Sequence, residues 1–583
     1  MRPSTTSSPT LRLTLTPRLP GYPSAGQAGI EVSYRLSAPD SAAGQPLFRL
    51  PIVIAGIPGA PLDATSFTVT DDAGALALQQ EDAAPTAMAA YRRWTGVRAT
   101  VGDLAVRYVA PVRLVDTSTT NGPFYDLRAE AGGICGAGVT FLALPDTTDV
   151  YDIALAWDLA LAPAGARGVC SWGEGPAHLT GTMDDLAYTY YMAGPLHSYP
   201  DHPDAGGDAP SVFSMYWLSE PSFDPVAVAA VTERLYATMC AFFQEPAPGF
   251  RVFVRKHPYQ GNGGTAARRS FMFGYSEETM PTIASLTTLL AHELAHNWPM
   301  LDGDWDQNGW FDEGAAEYYS IALLRRGGFI TDDDYLALIN ERARNYYTNP
   351  LQTLNLREAT ELYWRDPRAQ RIPYGRGLFY FIDLNAKLVS ATSGARSLDD
   401  LILAVVQRRR AGETIHAAEW LALVASELGE QGQRDYEAMA EGAWIVPASD
   451  ALGPRYLRRE IEDAPLDLGF ATSSYTSRVV TGLVAGSPAE RAGVRGGDRI
   501  LSIPNFSVME QAPWAAIDLT LARGDSTLRV RYVPQGARVR SYEWIRAPRP
   551  ERLATEATAR AARASVHART MSDASAISPR PGG

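Results

Sequence analysis

The sequence runs to 583 residues, 46% of them apolar and 20% charged, which predicts two to four globular units rather than one. Its 65 acidic and 52 basic residues leave a formal charge of −13. That balance argues against a nucleic-acid partner, since polyanion binders carry a basic excess. Cys135, Cys170 and Cys240 are too few and too scattered for a disulfide framework or a cysteine-based zinc site. A reducing cytosol is the expected location. No run approaches the roughly 18 apolar residues of a membrane span, and residues 1–30 lack the apolar stretch of a secretory signal.

The opening residues are rich in Ser and Thr and faintly resemble a transit peptide. The alternation of Leu11, Leu13 and Leu15 reads better as a first strand. Alternating segments such as GIEVSYRL and DIALAWDLALAP, punctuated by Gly and Pro, continue to about Leu161 and predict a β-sandwich-like domain. Within it, AGGICGAG at 131–138 does not match a dinucleotide fingerprint and reads as a tight turn or bulge. Between about 165 and 280, strands such as FRVFVRK mix with a helix near Pro225–Phe243. From Pro281, read as part of a first helical turn, to about Ala443 the periodicity is helical.

One helical stretch carries chemistry. His292 and His296 stand at i and i+4 of LLAHELAHNW, so both imidazoles reach a single ion from one helical face. Glu293 between them can hold a water bound to that ion. Both histidines interrupt an apolar run, and the whole chain has only 8. A merely solvated helix face explains that poorly. A catalytic zinc takes three protein ligands and keeps one position open.

Downstream, Trp310-Phe311-Asp312-Glu313-Gly314 resembles the third-ligand helix of gluzincin peptidases, and the resemblance makes Glu313 the third ligand. Sixteen residues separate His296 from Glu313, two fewer than in the common aminopeptidases of that clan, so the connecting loop must be tight. Glu317, one turn further, is the fallback ligand, or a partner that orients a histidine. Asp304-x-Asp306-x-Asn308-Gly309 matches half of an EF-hand loop, but Ala315 stands where a bidentate Glu belongs. It reads as a polar turn leading into the helix. Pro373-Tyr374-Gly375-Arg376-Gly377 resembles the segment that supplies a transition-state tyrosine in the same clan, which implies that role for Tyr374.

Past Ala464 about 70 residues resemble a PDZ domain. Leu468, Gly469 and Phe470 match its carboxylate loop, and Gly486-Ser487-Pro488-Ala489, Ala492-Gly493 and Gly497-Asp498 keep the family's order. Together these segments resemble the glycyl aminopeptidase family, PDZ-bearing relatives of leukotriene A4 hydrolase and aminopeptidase N. The resemblance implies a multidomain α+β chain. Residues 1–164 would form the β domain. A thermolysin-like catalytic domain, mixed and then mainly helical, would occupy 165–463, followed by a PDZ domain at 464–545 and a partly disordered tail at 546–583. It also implies one zinc ion per chain, a peptide or protein substrate, and a C-terminal peptide as ligand of the PDZ domain.

One position departs from that group. Its members carry a substrate-binding, glycine-rich strand with a glutamate that captures a free amine. Here the strand is Gly263-Gly264-Thr265-Ala266, and Ala266 stands where the glutamate would fall. Arg268 nearby is either a contact for an acidic substrate or a solvated side chain. Three functions therefore stay open: zinc-dependent peptide hydrolysis, non-peptide zinc chemistry such as epoxide hydrolysis, and a PDZ adaptor with a vestigial enzyme domain.

Overall fold

The computed structural model describes residues 9–21, 27–86, 88–117, 119–203, 211–246, 249–277, 281–303 and 305–548. Most of the tail expected at 546–583 lies outside them, as does Asp304. Among the described residues no helix is long and apolar enough to cross a membrane.

The alternating leucines do form a first strand. Thr10–Arg18 buries Leu11, Leu13 and Leu15, pairs antiparallel with Gly29–Leu36 and runs parallel to Tyr151–Trp157. These strands belong to a seven-stranded sheet whose edge strand, Ala177–Gly181, lies beyond residue 164. The β-rich region is therefore longer than the sequence pattern suggests. Two five-stranded sheets pack with it. In one of them AGGICGAG proves to be a buried strand, Gly133–Ala137, rather than a turn. Only Ala131 and Gly132 turn, with φ of 44° and 79°. Gly136 is needed because a Cβ there would lie 2.7 Å from Leu127 Cα, a close backbone approach that only glycine permits.

The site rests on a fourth sheet, in the order His197–Tyr199, Phe213–Trp217, Phe250–Lys256, Ser270–Tyr275, Gly263–Ala267. The three middle strands are parallel and buried along almost their whole length, which explains why most of their residues are apolar, Arg251 and Arg255 being buried exceptions. Helix Pro225–Phe242 makes the crossover between the first two. Gly263–Ala267 turns back antiparallel and forms the sheet edge.

Helices then cover this sheet. Ile283–Ala295 begins at Thr282, whose hydroxyl accepts from Ser285 N, so Pro281 precedes the cap rather than lying in the first turn. Leu286 and Leu290 of its apolar stripe are buried, while Ile283 is exposed. Trp305–Arg326 packs on it, Ile372–Ala391 packs on Trp305–Arg326 in turn, and both share its core with Phe271, Phe273 and Trp420.

A separate small core built on Leu468, Phe470, Leu519 and Leu521 defines a C-terminal module. It hangs between the two strands of a ribbon, Tyr456–Asp463 and Val539–Arg546. The ribbon is fixed to helix Asp332–Tyr347, where Asn340 exchanges hydrogen bonds of 2.9 and 2.7 Å with the Trp544 backbone. The many sheets and helices make a multidomain α+β chain, as the sequence leads one to expect.

Candidate metal centre

The helix Ile283–Ala295 presents His292 and, from the C-cap position just past its end, His296 to the same cavity. Their Nε2 atoms lie 3.1 Å apart. Glu313 enters from the next helix, with Oε2 at 3.3 Å from His292 Nε2 and 3.5 Å from His296 Nε2. Zinc bonded to nitrogen and oxygen at about 2.0–2.1 Å would set tetrahedral ligand–ligand edges of roughly 3.3–3.4 Å. The three atoms therefore stand at the corners that such an ion requires. Glu313 Oε2 is buried with no hydrogen bond of its own, which suits a metal-binding oxygen better than a structural one. Burial alone would raise the Glu313 carboxyl, but the neighbouring His296 and His292 hold it well below the usual range.

The tight spacing between His296 and Glu313 has a simple cause. The helix Trp305–Arg326 starts within the presumed polar turn, so Gly309 and the backbone of Asp306 are already helical. Asn308 is buried and donates to Asp302 O at 3.1 Å, which ties the short loop to the helix start. The half EF-hand pattern thus forms a helix entry.

Glu317 does not join the three. Its Oε1 lies 3.4 Å from His292 Nδ1, the ring nitrogen that does not face Glu313, and its Oε2 accepts from Arg342 Nε at 2.8 Å. Burial acts to raise this carboxyl, yet Arg342 and His292 bring it below its ordinary value, so it stays charged beside the imidazole. Arg342 belongs to another helix, and nothing in its local sequence marks it.

Glu293 faces the same cavity from one residue along. Burial pushes its carboxyl up to about 7, partly opposed by His296. The Ala266 backbone also hydrogen-bonds to it. Gly264 packs directly on this side chain, so a Cβ there would overlap Glu293. Gly263 lies against Phe124. The edge strand is thus held over the HExxH helix, and among the described residues no other strand pairs with its outer edge. Arg268 sits at the turn beyond it, exposed and paired with Asp185 at 2.6 Å. It does not reach the centre.

Tyr374 opens the helix Ile372–Ala391, and its ring stacks on His292, with centroids 5.7 Å apart and planes 15° apart. Its hydroxyl interacts with that of Tyr363, a residue the sequence did not single out. Burial raises the Tyr374 hydroxyl far above the ordinary tyrosine range, so it remains a proton donor. Asp312 is a further unforeseen neighbour. It is half-buried near His296, accepts from Leu301 N at 3.3 Å, and desolvation pushes its carboxyl up to about 7. These groups line one cleft of about 1810 Å³, together with aromatic residues such as Tyr125 and Trp298.

Solved structures share the architecture. A crystal structure of an aminopeptidase N family protein from Idiomarina loihiensis superposes with a TM-score of 0.60 and 14% identity, over 92% of this chain and 98% of its own. An M1 zinc metallopeptidase from Deinococcus radiodurans, bound to a Tyr-Ser-Ala substrate, matches at 0.48 and 18% identity over 76% of this chain and 96% of its own. The yeast LTA4 hydrolase matches at 0.49 and 14% identity over 76% of this chain and 68% of its own. Only the first overlaps well enough to establish the fold, which is that of an aminopeptidase N family protein. No curated protein matches the chain in sequence. The family is more specific than the fold: residues 303–372 match the M61 glycyl aminopeptidase model, the family the motifs resemble. That stretch contains Glu313 and Glu317 and ends two residues before Tyr374.

Proposed function

We propose that this chain is a zinc-dependent peptidase that holds one zinc ion through His292, His296 and Glu313. The observation that carries the reading is the triangle of two imidazole nitrogens and one carboxylate oxygen with sides of 3.1, 3.3 and 3.5 Å. When bound, zinc supplies Lewis-acid polarisation of the scissile carbonyl and the attacking water.

The remaining chemistry belongs to the chain. Glu293, buried and raised towards neutrality, takes the water's proton and passes it to the leaving amine. Tyr374 donates its hydroxyl proton in a hydrogen bond to the developing oxyanion, an interaction typically worth about 3 kcal/mol of barrier. An extended peptide pairs along the outer edge of Gly263–Ala267, the strand that packs on Glu293 through Gly264. Ala266 offers no carboxylate for a free amine, so peptides with and without a free N-terminus both fit. Residues 464–545 are read as a PDZ domain. The positive φ of Gly469, Gly486, Gly493 and Gly497 and the burial of Leu468 and Phe470 support that reading. Three free, buried cysteines suit a reducing cytosol.

Digestion of a peptide library with free and acetylated N-termini tests the proposal by mass spectrometry. The reading expects zinc-dependent cleavage of both sets. Absence of cleavage by zinc-loaded protein refutes the peptidase reading, and strict need for a free amine refutes the role given to Ala266.

A further inference from the structure

We propose that the C-terminal module is a working part of the catalytic cleft. Its helix Phe506–Gln511 closes one end of the cleft, and Glu510 is a positioning residue that holds Arg371 against Tyr374. This deepens the peptidase reading and rests on the oxyanion role given to Tyr374.

The helix divides its residues between two tasks. Phe506 and Met509 are buried in the module's own core, and Tyr475 covers that side, its hydroxyl accepting from Phe506 N at 3.1 Å. Ser507, Glu510 and Gln511, spaced three and four apart, share the other face and meet the catalytic part. Arg371 Nε donates to Glu510 Oε2 at 2.9 Å, and its second nitrogen donates to the Ser507 hydroxyl. Gln511 O accepts from Arg344 at 3.4 Å. On the other side of the cleft end, Val508 and Asn505 sit against Gly261, where an added Cβ would lie 3.5 Å from Val508 Cγ2.

One short helix therefore bridges the loop that feeds the edge strand and the residue that opens the tyrosine helix. Arg371 is the link to chemistry. Its guanidinium carbon lies 5.7 Å from the Tyr374 ring centroid, and that ring stacks on His292. A guanidinium prefers the planar, two-acceptor arrangement that Glu510 and Ser507 provide, and it is thereby fixed over the aromatic face. Without Glu510, Arg371 keeps its charge in a desolvated cleft and must turn elsewhere, which frees the Tyr374 ring on that side. Misplacement of a reacting group by about 1 Å costs up to about 10²-fold in rate.

The test uses the zinc-loaded full chain, with Glu510→Gln, Glu510→Asp, Arg371→Gln and the double Gln variant. Glu510→Gln is expected to lower kcat on a short peptide about tenfold or more, with KM within about twofold and zinc content unchanged. Glu510→Asp recovers part of the loss, and the double variant is no worse than Arg371→Gln alone, as for residues acting as a pair. Hydrogen exchange around Tyr374 is expected to quicken in Glu510→Gln whether or not substrate is turned over. Unchanged kcat, losses that multiply in the double variant, or unaltered exchange near Tyr374 each overturn the proposal. If the wild type cleaves no peptide, the peptidase reading falls, and the exchange comparison alone decides the Glu510–Arg371–Tyr374 link.

Discussion

Gly314 and Gly377 meet where the helix Trp305–Arg326 crosses the helix Ile372–Ala391, so that a Cβ on Gly377 would lie 2.5 Å from Gly314 Cα. Glu313 is the neighbour of one glycine, and Tyr374 stands one turn before the other. The close crossing is what brings a carboxylate and a tyrosine ring from two helices to the same imidazole, His292. Gly377→Ala gains about 1 kcal/mol in helix propensity but must force the helices apart, at a cost of about 1–3 kcal/mol or more. Packing wins in this balance. The variant is expected to unfold at lower temperature and to bind zinc more weakly, as thermal unfolding and competitive metal titration will show.

Glu293 lies in the cavity without being one of the three metal-facing groups. Glu293→Gln keeps the shape and the contact with Gly264 but cannot accept a proton. Turnover is expected to fall by about 10²–10⁴-fold, the usual contribution of a general base, with zinc stoichiometry unchanged. Single-turnover kinetics beside elemental analysis checks both halves. Retained hydrolysis removes the assigned role.

The parts of the site that the sequence revealed are those encoded locally. His292, Glu293 and His296 lie within five residues on one helix, and Glu313 and Tyr374 each carry a recognisable neighbourhood of glycine, proline and aromatic residues. Arg342, Tyr363 and Glu510 were invisible because each reaches the site only through tertiary packing, from separate helices or, for Tyr363, the turn that ends one. The strand Gly133–Ala137 was misread because its glycines answer to neighbouring backbones, not to a turn. The half calcium motif is a helix entry, as its missing twelfth-position carboxylate already suggested, since a helix starts inside it and takes its residues out of loop geometry.

The pair Glu317–Arg342 behind His292 should tune the metal. Glu317→Gln removes the charge beside His292 Nδ1 and is expected to weaken zinc binding about 10–100-fold, the usual range for such partners. Arg342→Gln leaves the carboxylate in place but unpaired and should cost less. Zinc affinities from a competing chelator measure both, and equal affinities in wild type and Glu317→Gln would show the contact to be incidental.

Far from the metal, Asp126 accepts from Arg255, Arg128 and Arg113 at 2.8, 2.9 and 2.9 Å, between the β domain and the fourth sheet. Burial works against its charge, but the three guanidiniums, Arg255 foremost, lower its carboxyl from 3.8 to about 2. A depressed folded value means the unfolded chain binds the proton first. Its stabilising contribution is therefore full above about pH 4 and fades as pH falls towards 2. Asp126→Asn should lower the melting temperature at neutral pH and flatten its acid dependence in that window. An unchanged slope between pH 4 and 2 would assign acid unfolding to other carboxylates.

The direct test of the account is the zinc content of purified, reconstituted protein, measured for wild type, His292→Ala and Glu313→Ala with folding verified by circular dichroism. The account expects one zinc per wild-type chain and a large loss of bound metal in both variants. Folded wild-type protein that takes up no stoichiometric zinc, or a Glu313→Ala variant that binds it as tightly as wild type, contradicts it.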